Sequence, residues 1–203
     1  MKSKVELINK SIGASILIGL GDYALLKVGN PIGPILFTLG LLGVCYMGLN
    51  LFTGKCGFII EDKINFLDLM IILIINLIAG YLLGLIFSLC DVDVYKNAID
   101  KVNSWSFSLS FFIKSIMCGI IMYIAVYIYR KKSPLGIIFG IPLFIFSGFQ
   151  HCIANVITMG GARTFHLSLF ICVLGNFIGS LFIWYISRDI EIKNTKKLIF
   201  KRK

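Results

Sequence analysis

Apolar residues run through this chain in long blocks, separated by short polar clusters rather than alternating with polar positions. A helix that crosses a bilayer needs about 17–25 mostly apolar residues. Six segments meet that measure: 9–28, 33–52, 66–89, 108–129, 134–150 and 165–187. Backbone amides in lipid have no water to bond, so such segments must satisfy themselves as helices. Six spans and their short connections use nearly all of the 203 residues. The pattern therefore predicts an all-α membrane protein, a single transmembrane domain over 1–203, with no room for a soluble one.

Composition sharpens this reading. Apolar residues make up 58% of the chain and charged residues 15%, against about 25% charged in an average soluble domain. The mean hydropathy is +0.90. A soluble enzyme, a disordered chain and a secreted disulfide scaffold are excluded. The net charge of +10 does not indicate nucleic acid as a partner, because the basic residues sit at the ends of apolar runs. With the N-terminus inside, the inner segments carry Lys2, Lys4, Lys10, Lys55, Lys63, Arg130, Lys131, Lys132 and seven more in a basic tail over 188–203, which makes 15. The outer loops carry 4: Lys27, Lys96, Lys101 and Arg163. This bias predicts a multi-pass protein of the bacterial inner (plasma) membrane with both termini cytoplasmic. No small-residue cleavage site follows the first apolar run, so no cleaved signal peptide is expected. The cysteines form no CxxC and lie mostly within apolar runs, where they act as small hydrophobes. No metal, cofactor or catalytic residue is expected.

The two halves, about 1–100 and 101–190, resemble each other. Pro31-Ile-Gly-Pro opens the second span and Pro134-Leu-Gly the fifth; Asn76 stands in the third and Asn176 in the sixth. Three helices per half give the halves opposite orientation, a 3+3 inverted repeat of the kind found in transporters. The second span ends on Gly48-Leu49-Asn50-Leu51-Phe52-Thr53-Gly54. The fifth ends on Ser147-Gly148-Phe149-Gln150-His151-Cys152-Ile153-Ala154-Asn155. These polar clusters occupy the same place in each half, which suits a broken second and a broken fifth helix whose ends face a shared pathway. Leu51–Gly54 alone reads equally well as a plain helix end. His151 is a stronger signal, since an ionisable residue within the membrane marks function by default and imidazole titrates near physiological pH. Its bland alternative is a histidine that bonds a carbonyl. His166, at the start of the sixth span, reads as interfacial.

These clusters resemble the formate/nitrite transporter family. The family's first break ends in Leu-Phe-Thr, here Leu51-Phe52-Thr53. Its second reads Gly-Phe-Glu-His, a small residue, then Ile-Ala-Asn, here Gly148-Phe149-Gln150-His151-Cys152-Ile153-Ala154-Asn155. The resemblance covers nearly the whole chain and implies an aquaporin-like protomer, a homopentamer in the lipid bilayer, and one pore per protomer for small monovalent anions. By motif position, Leu41, Leu51 and Phe52 line a cytoplasmic constriction, and Phe37 and Phe144 an outer one. Thr53 faces His151. Asn50, Gln150, Asn155 and Lys101 belong to the pore or its approach; Asn76 and Asn176 are helix-packing residues. Without the family, Phe37, Leu41 and Phe144 read as helix packing. This chain departs from the family in having Asn50 for the acid before Leu-Phe-Thr, Gln150 for the glutamate before histidine, and Gly119 for the asparagine after Cys118. The segment between the first break and Asn76 is also short, so a half-helix or its vestibule is trimmed.

The function this implies is a channel or proton-coupled transporter for small weak-acid anions such as formate, nitrite or hydrosulfide. A bare anion is costly in an apolar constriction, whereas a neutral weak acid is not. Positive potential from Lys101 and the half-helix ends draws the anion in. A proton then reaches it by way of His151 or water, or the histidine stays a neutral hydrogen-bond donor; the residues leave both routes open. The alternative is a pore for a neutral solute such as water, glycerol or ammonia, slightly favoured by the amides of Asn50 and Gln150. An enzyme is disfavoured, because no second histidine, nucleophile–base pair or metal cluster accompanies His151.

Overall fold

The computed structural model describes residues 3–200, with side chains through Arg188, and the described residues form nine α-helices. They are α1 (Lys4–Val28), α2 (Ile32–Tyr46), α3 (Phe52–Lys55), α4 (Phe66–Cys90), α5 (Val92–Asn103), α6 (Leu109–Arg130), α7 (Leu135–Phe146), α8 (Cys152–Gly161) and α9 (Ser168–Phe200). Lys2, Lys201, Arg202 and Lys203 of the basic clusters lie outside the described residues. Among those described, four helices are long and apolar enough to cross a membrane: α1, α4, α6 and the Ser168–Arg188 part of α9. Large apolar side chains face outward, with Leu39 74% and Phe139 70% exposed, as lipid allows and water does not. This is a multi-pass membrane protein.

The second and fifth apolar segments stop short of their expected ends at 52 and 150. The cause is local. Gly48 and Gly148 take positive φ angles of 63° and 67°, which only glycine adopts at little cost. The residues after them then bond back into the helix, Leu49 N–H to the Val44 carbonyl and Phe149 N–H to the Phe144 carbonyl, each at 2.9 Å. Each is a glycine-capped helix end of the Schellman type. The chain next runs extended, through Leu51 (φ −101°, ψ 128°) and His151 (φ −106°, ψ 117°), before turning into α3 and α8.

The helices beyond the two breaks are unequal. After the second break, α8 runs ten residues, all buried. It lies so close to α4 that a Cβ on Gly160 would overlap the Tyr81 carbonyl and one on Gly84 the Ile157 carbonyl. After the first, α3 is a single turn, followed by a 3-10 turn over Cys56–Phe58. Similar contacts join α6 to α9, where a Cβ on Gly119 would meet Asn176 backbone.

The apolar pattern shows only an outer loop after α4, yet that stretch holds α5. Val94, Ala98 and Val102 form its buried stripe at helical spacing, and the Asp91 carboxylate caps it by accepting from the amides of Asp93 and Val94. The helix lies over α1 and α8.

Candidate functional site

Each break would strand backbone groups inside the protein, and one asparagine satisfies them in each half. Asn76 Oδ1 accepts from the Phe52 amide at 2.9 Å; its Nδ2 donates to the carbonyls of Ser11 (2.8 Å) and Asn50 (3.2 Å). Asn176 Oδ1 accepts from the Cys152 amide at 2.8 Å; its Nδ2 donates to the carbonyls of Ser115 and Gln150, both at 2.8 Å. The Asn50 and Gln150 backbone amides complete the pattern by donating to the Lys10 and Lys114 carbonyls. An amide side chain both donates and accepts, so it can bridge a helix start and an extended strand together. Both asparagines are fully buried.

The two breaks meet at Thr53 and His151. Thr53 Oγ1 stands 2.8 Å from His151 Nε2. The other ring nitrogen, Nδ1, accepts the Ala154 amide at 3.1 Å and so caps α8. An acceptor nitrogen carries no proton. The neutral imidazole therefore holds its hydrogen on Nε2 and donates it to Thr53. The Phe144 ring stacks on the His151 ring at 5.8 Å, and Phe37 meets Phe144 edge-on at 6.1 Å.

One cavity is lined by His151 itself, a second by Leu51 and Gly54, which flank Thr53 along the chain, and the two share no lining residue. The larger, of about 460 Å³, is lined by Phe37, Phe144, His151, Gln150, Asn155 and Lys101, among others. The smaller, of about 110 Å³, is lined by Leu41, Leu51, Lys55 and Arg130, among others. Phe37 and Leu41 are one helical turn apart on α2, about 6 Å of rise, yet face different cavities. Phe52, which its motif position groups with Leu51, lines neither cavity and stacks on Phe177 at 6.4 Å. Asn50 and Thr53 line neither cavity. The Asn50 side chain reaches the Leu7 carbonyl at 3.5 Å. Gln150 is held by its neighbours, accepting from Asn155 at 2.9 Å and donating to the Gly148 carbonyl at 3.0 Å.

The charges near the larger cavity include one that sequence reasoning missed. Lys27 is clamped between Asp91 (3.0 Å) and Asp93 (2.7 Å). Outside the spans, Lys27 in turn holds the Asp91 carboxyl down to about 2, helped by the Tyr23 hydroxyl and the α5 amides. Lys101 reaches the cavity from α5 and stands 3.5 Å from Asp22, a fully buried carboxylate on α1 that also accepts from the Thr158 hydroxyl at 2.9 Å. The missed residue is Asp22, and its signal is that of a lone acid within the first apolar segment. Among the described residues, no three His, Cys, Asp or Glu side chains come together as a metal site.

Three comparisons bear on this geometry. A family model described as formate/nitrite transporter matches residues 2–162. An uncharacterized transporter, YwcJ of Bacillus subtilis (strain 168), is 28% identical over 187 residues, which cover 77% of this chain and 73% of the relative. Among solved structures, one described as an FNT family ion channel superposes with a TM-score of 0.73 at 19% identity, covering 95% of this chain and 91% of the other. A pentameric formate channel with formate bound gives a TM-score of 0.67 at 19% identity over the full length of both.

Proposed function

The chain belongs to the formate/nitrite transporter family, and on that premise we propose that it conducts small monovalent weak-acid anions, of the class of formate, nitrite or hydrosulfide, across the bacterial inner membrane. The observation that carries this reading is the Thr53–His151 contact at 2.8 Å, set between two cavities that apolar side chains keep apart. Lys101 supplies positive potential in the larger cavity, with Gln150 and Asn155 beside it. Phe37 and Phe144 form the barrier on that side, and Leu41 and Leu51 the barrier on the other. Asn76 and Asn176 hold the two breaks in place.

The mechanism is decided by costs. A hydrated anion enters the larger cavity toward the Lys101 ammonium. At the phenyl barrier it must shed water, and a free anion there is expensive while its conjugate acid is not. His151 acts as a neutral donor. Its Nδ1 is engaged by the Ala154 amide, so protonation there would break the α8 cap. Its Nε2–H donates to Thr53, which leaves the Thr53 hydroxyl hydrogen free to bond the permeant. The proton that neutralises the anion comes from water in the cavity. The neutral acid crosses Leu41 and Leu51 and ionises on the far side.

The wider arrangement in this proposal is a six-span, 3+3 inverted repeat within a single domain, with broken second and fifth helices and both termini cytoplasmic. The matched bonds of Asn76 and Asn176 and the twin glycine caps support the repeat. The proposed assembly is a homopentamer, as in the formate channel it superposes on. Flux into liposomes of formate, nitrite, hydrosulfide and glycerol, with and without a pH gradient, tests the reading. Uptake of the anions, enhanced by an inward proton gradient, is expected. Glycerol flux that exceeds all three anions would establish the alternative, a neutral-solute pore.

A further inference from the structure

The buried carboxylate of Asp22 has no part in the mechanism above, and it is an expensive group to keep. It sits within a 25-residue membrane helix, fully buried, and lines neither cavity. Charged groups in such places are retained for function or held by partners. Its partners are few: the Thr158 hydroxyl at 2.9 Å on one oxygen and Lys101 Nζ at 3.5 Å on the other. A charge-assisted bond closes to about 2.7–2.9 Å. The Lys101 ammonium therefore feels Asp22 as a charge without being fully engaged by it, and its side chain stays 33% exposed toward the larger cavity. Lys27, by contrast, has two carboxylates at 2.7 and 3.0 Å and little charge left to offer.

We propose that Asp22 is the counter-charge that sets how tightly Lys101 holds an anion in the larger cavity. It is a positioning and specificity-determining residue behind the pore lining. Conduction needs a site attractive enough to enter and weak enough to leave. An unopposed ammonium in a partly dehydrated cavity would hold an anion too long. A carboxylate in the lining would repel the anion directly. Placed behind Lys101 on α1, Asp22 lowers the field without presenting an oxygen to the permeant. Thr158 on α8 fixes one of its oxygens, so three helices, α1, α5 and α8, set this balance together.

The proposal rests on the reading that Lys101 attracts the permeant anion, and the experiment separates the two. Initial rates of formate flux against concentration are measured in liposomes for the wild type, Asp22→Asn and Lys101→Met. With the counter-charge removed, Asp22→Asn is expected to lower the half-saturating concentration about three- to tenfold, as a charge about 6 Å away would across a cavity whose water holds the effective dielectric at about 40–80. Maximal flux should fall at the same time, because release slows. A merely structural defect lowers flux without tightening binding, so the opposed signs carry the test. If Asp22→Asn does not assemble, Asp22→Ser is smaller and uncharged and carries the same expectation. Lys101→Met should raise the half-saturating concentration. A normal Lys101→Met curve would overturn the role of Lys101 itself. A weakened Lys101→Met beside an unchanged or weaker-binding Asp22→Asn would overturn the role of Asp22 alone.

Discussion

At the scale of single residues, the proposed pore chemistry reduces to two side chains whose roles can be separated. In His151→Asn, the shorter amide oxygen still accepts the Ala154 amide, because asparagine is a good helix N-cap. The α8 cap survives, while the reach to Thr53 at 2.8 Å is lost. Formate flux should fall about tenfold or more, the cost of one unmade hydrogen bond in a dehydrated passage. The residual flux should keep its dependence on pH if, as proposed, the proton comes from water. Residual flux without pH dependence would put the transferred proton on the imidazole instead. Thr53→Val keeps the side-chain shape and removes only the hydroxyl. It should lower flux about three- to tenfold and, by leaving the buried His151 Nε2–H without its acceptor, lower stability by about 1–3 kcal/mol; unimpaired flux would mean that the permeant never bonds to Thr53. Both residues are legible in the sequence because they stand in polar clusters inside apolar runs. Asp22 escapes notice for the opposite reason: one acid within a long apolar segment barely moves the pattern. Phe52 shows a further limit. Its motif position groups it with Leu51, but successive residues at a helix start point in different directions, and its ring turns to Phe177.

At the scale of elements, the breaks are readable and their consequences only partly so. Gly48 and Gly148 mark both helix ends in the sequence, yet apolar content alone carries each segment four to six residues too far, to 52 and 150 instead of Tyr46 and Phe146. Hydropathy cannot see a change of backbone direction that costs no apolar residue. The helix α5 is hidden because it is short and polar overall; its three buried positions emerge only at four-residue spacing. The short segment after the first break holds a one-turn α3, where the second break leads into a ten-residue α8. The halves do share their asparagines, which can be tested directly. Asn76→Ala removes four hydrogen bonds, one of them to the Ser15 hydroxyl, and Asn176→Ala three; each leaves a buried amide and two buried carbonyls to find other partners. Either should lower stability by about 2–5 kcal/mol, measured by thermal unfolding in detergent. Asn176→Asp with its carboxyl protonated keeps the acceptor and one O–H donor in place of the two N–H donors, so it should fall between wild type and alanine. A neutral Asn76→Ala would mean that the first break is held by packing alone.

At the scale of the whole molecule, the question is where the pore lies in the proposed assembly. Both cavities, the two apolar barriers and the Thr53–His151 contact are built from one chain. The proposed pathway therefore draws its barriers and its polar contact from a single protomer. The outward faces of α2 and α7 are apolar, with Ile35 60%, Leu39 74%, Phe139 70% and Leu143 55% exposed, and nothing in them would suit the wall of a water-filled central channel. In lipid, such surfaces associate by close packing rather than by a hydrophobic drive. Native mass measurement in detergent should accordingly give five copies of the 22.7 kDa chain, and only monomers or dimers would count against the pentamer. The independence of the pores has its own test. Wild-type and His151→Asn chains are co-expressed in varying ratio, purified as mixed pentamers and reconstituted at constant total protein. If each protomer conducts alone, formate flux falls in direct proportion to the mutant fraction, and equal mixing retains about half of the wild-type excess. A single shared pathway that needs every histidine would fall far more steeply, to a few per cent at equal mixing. The straight line is expected because the residues of the proposed path, from Lys101 through His151 to Leu51, all stand in one chain.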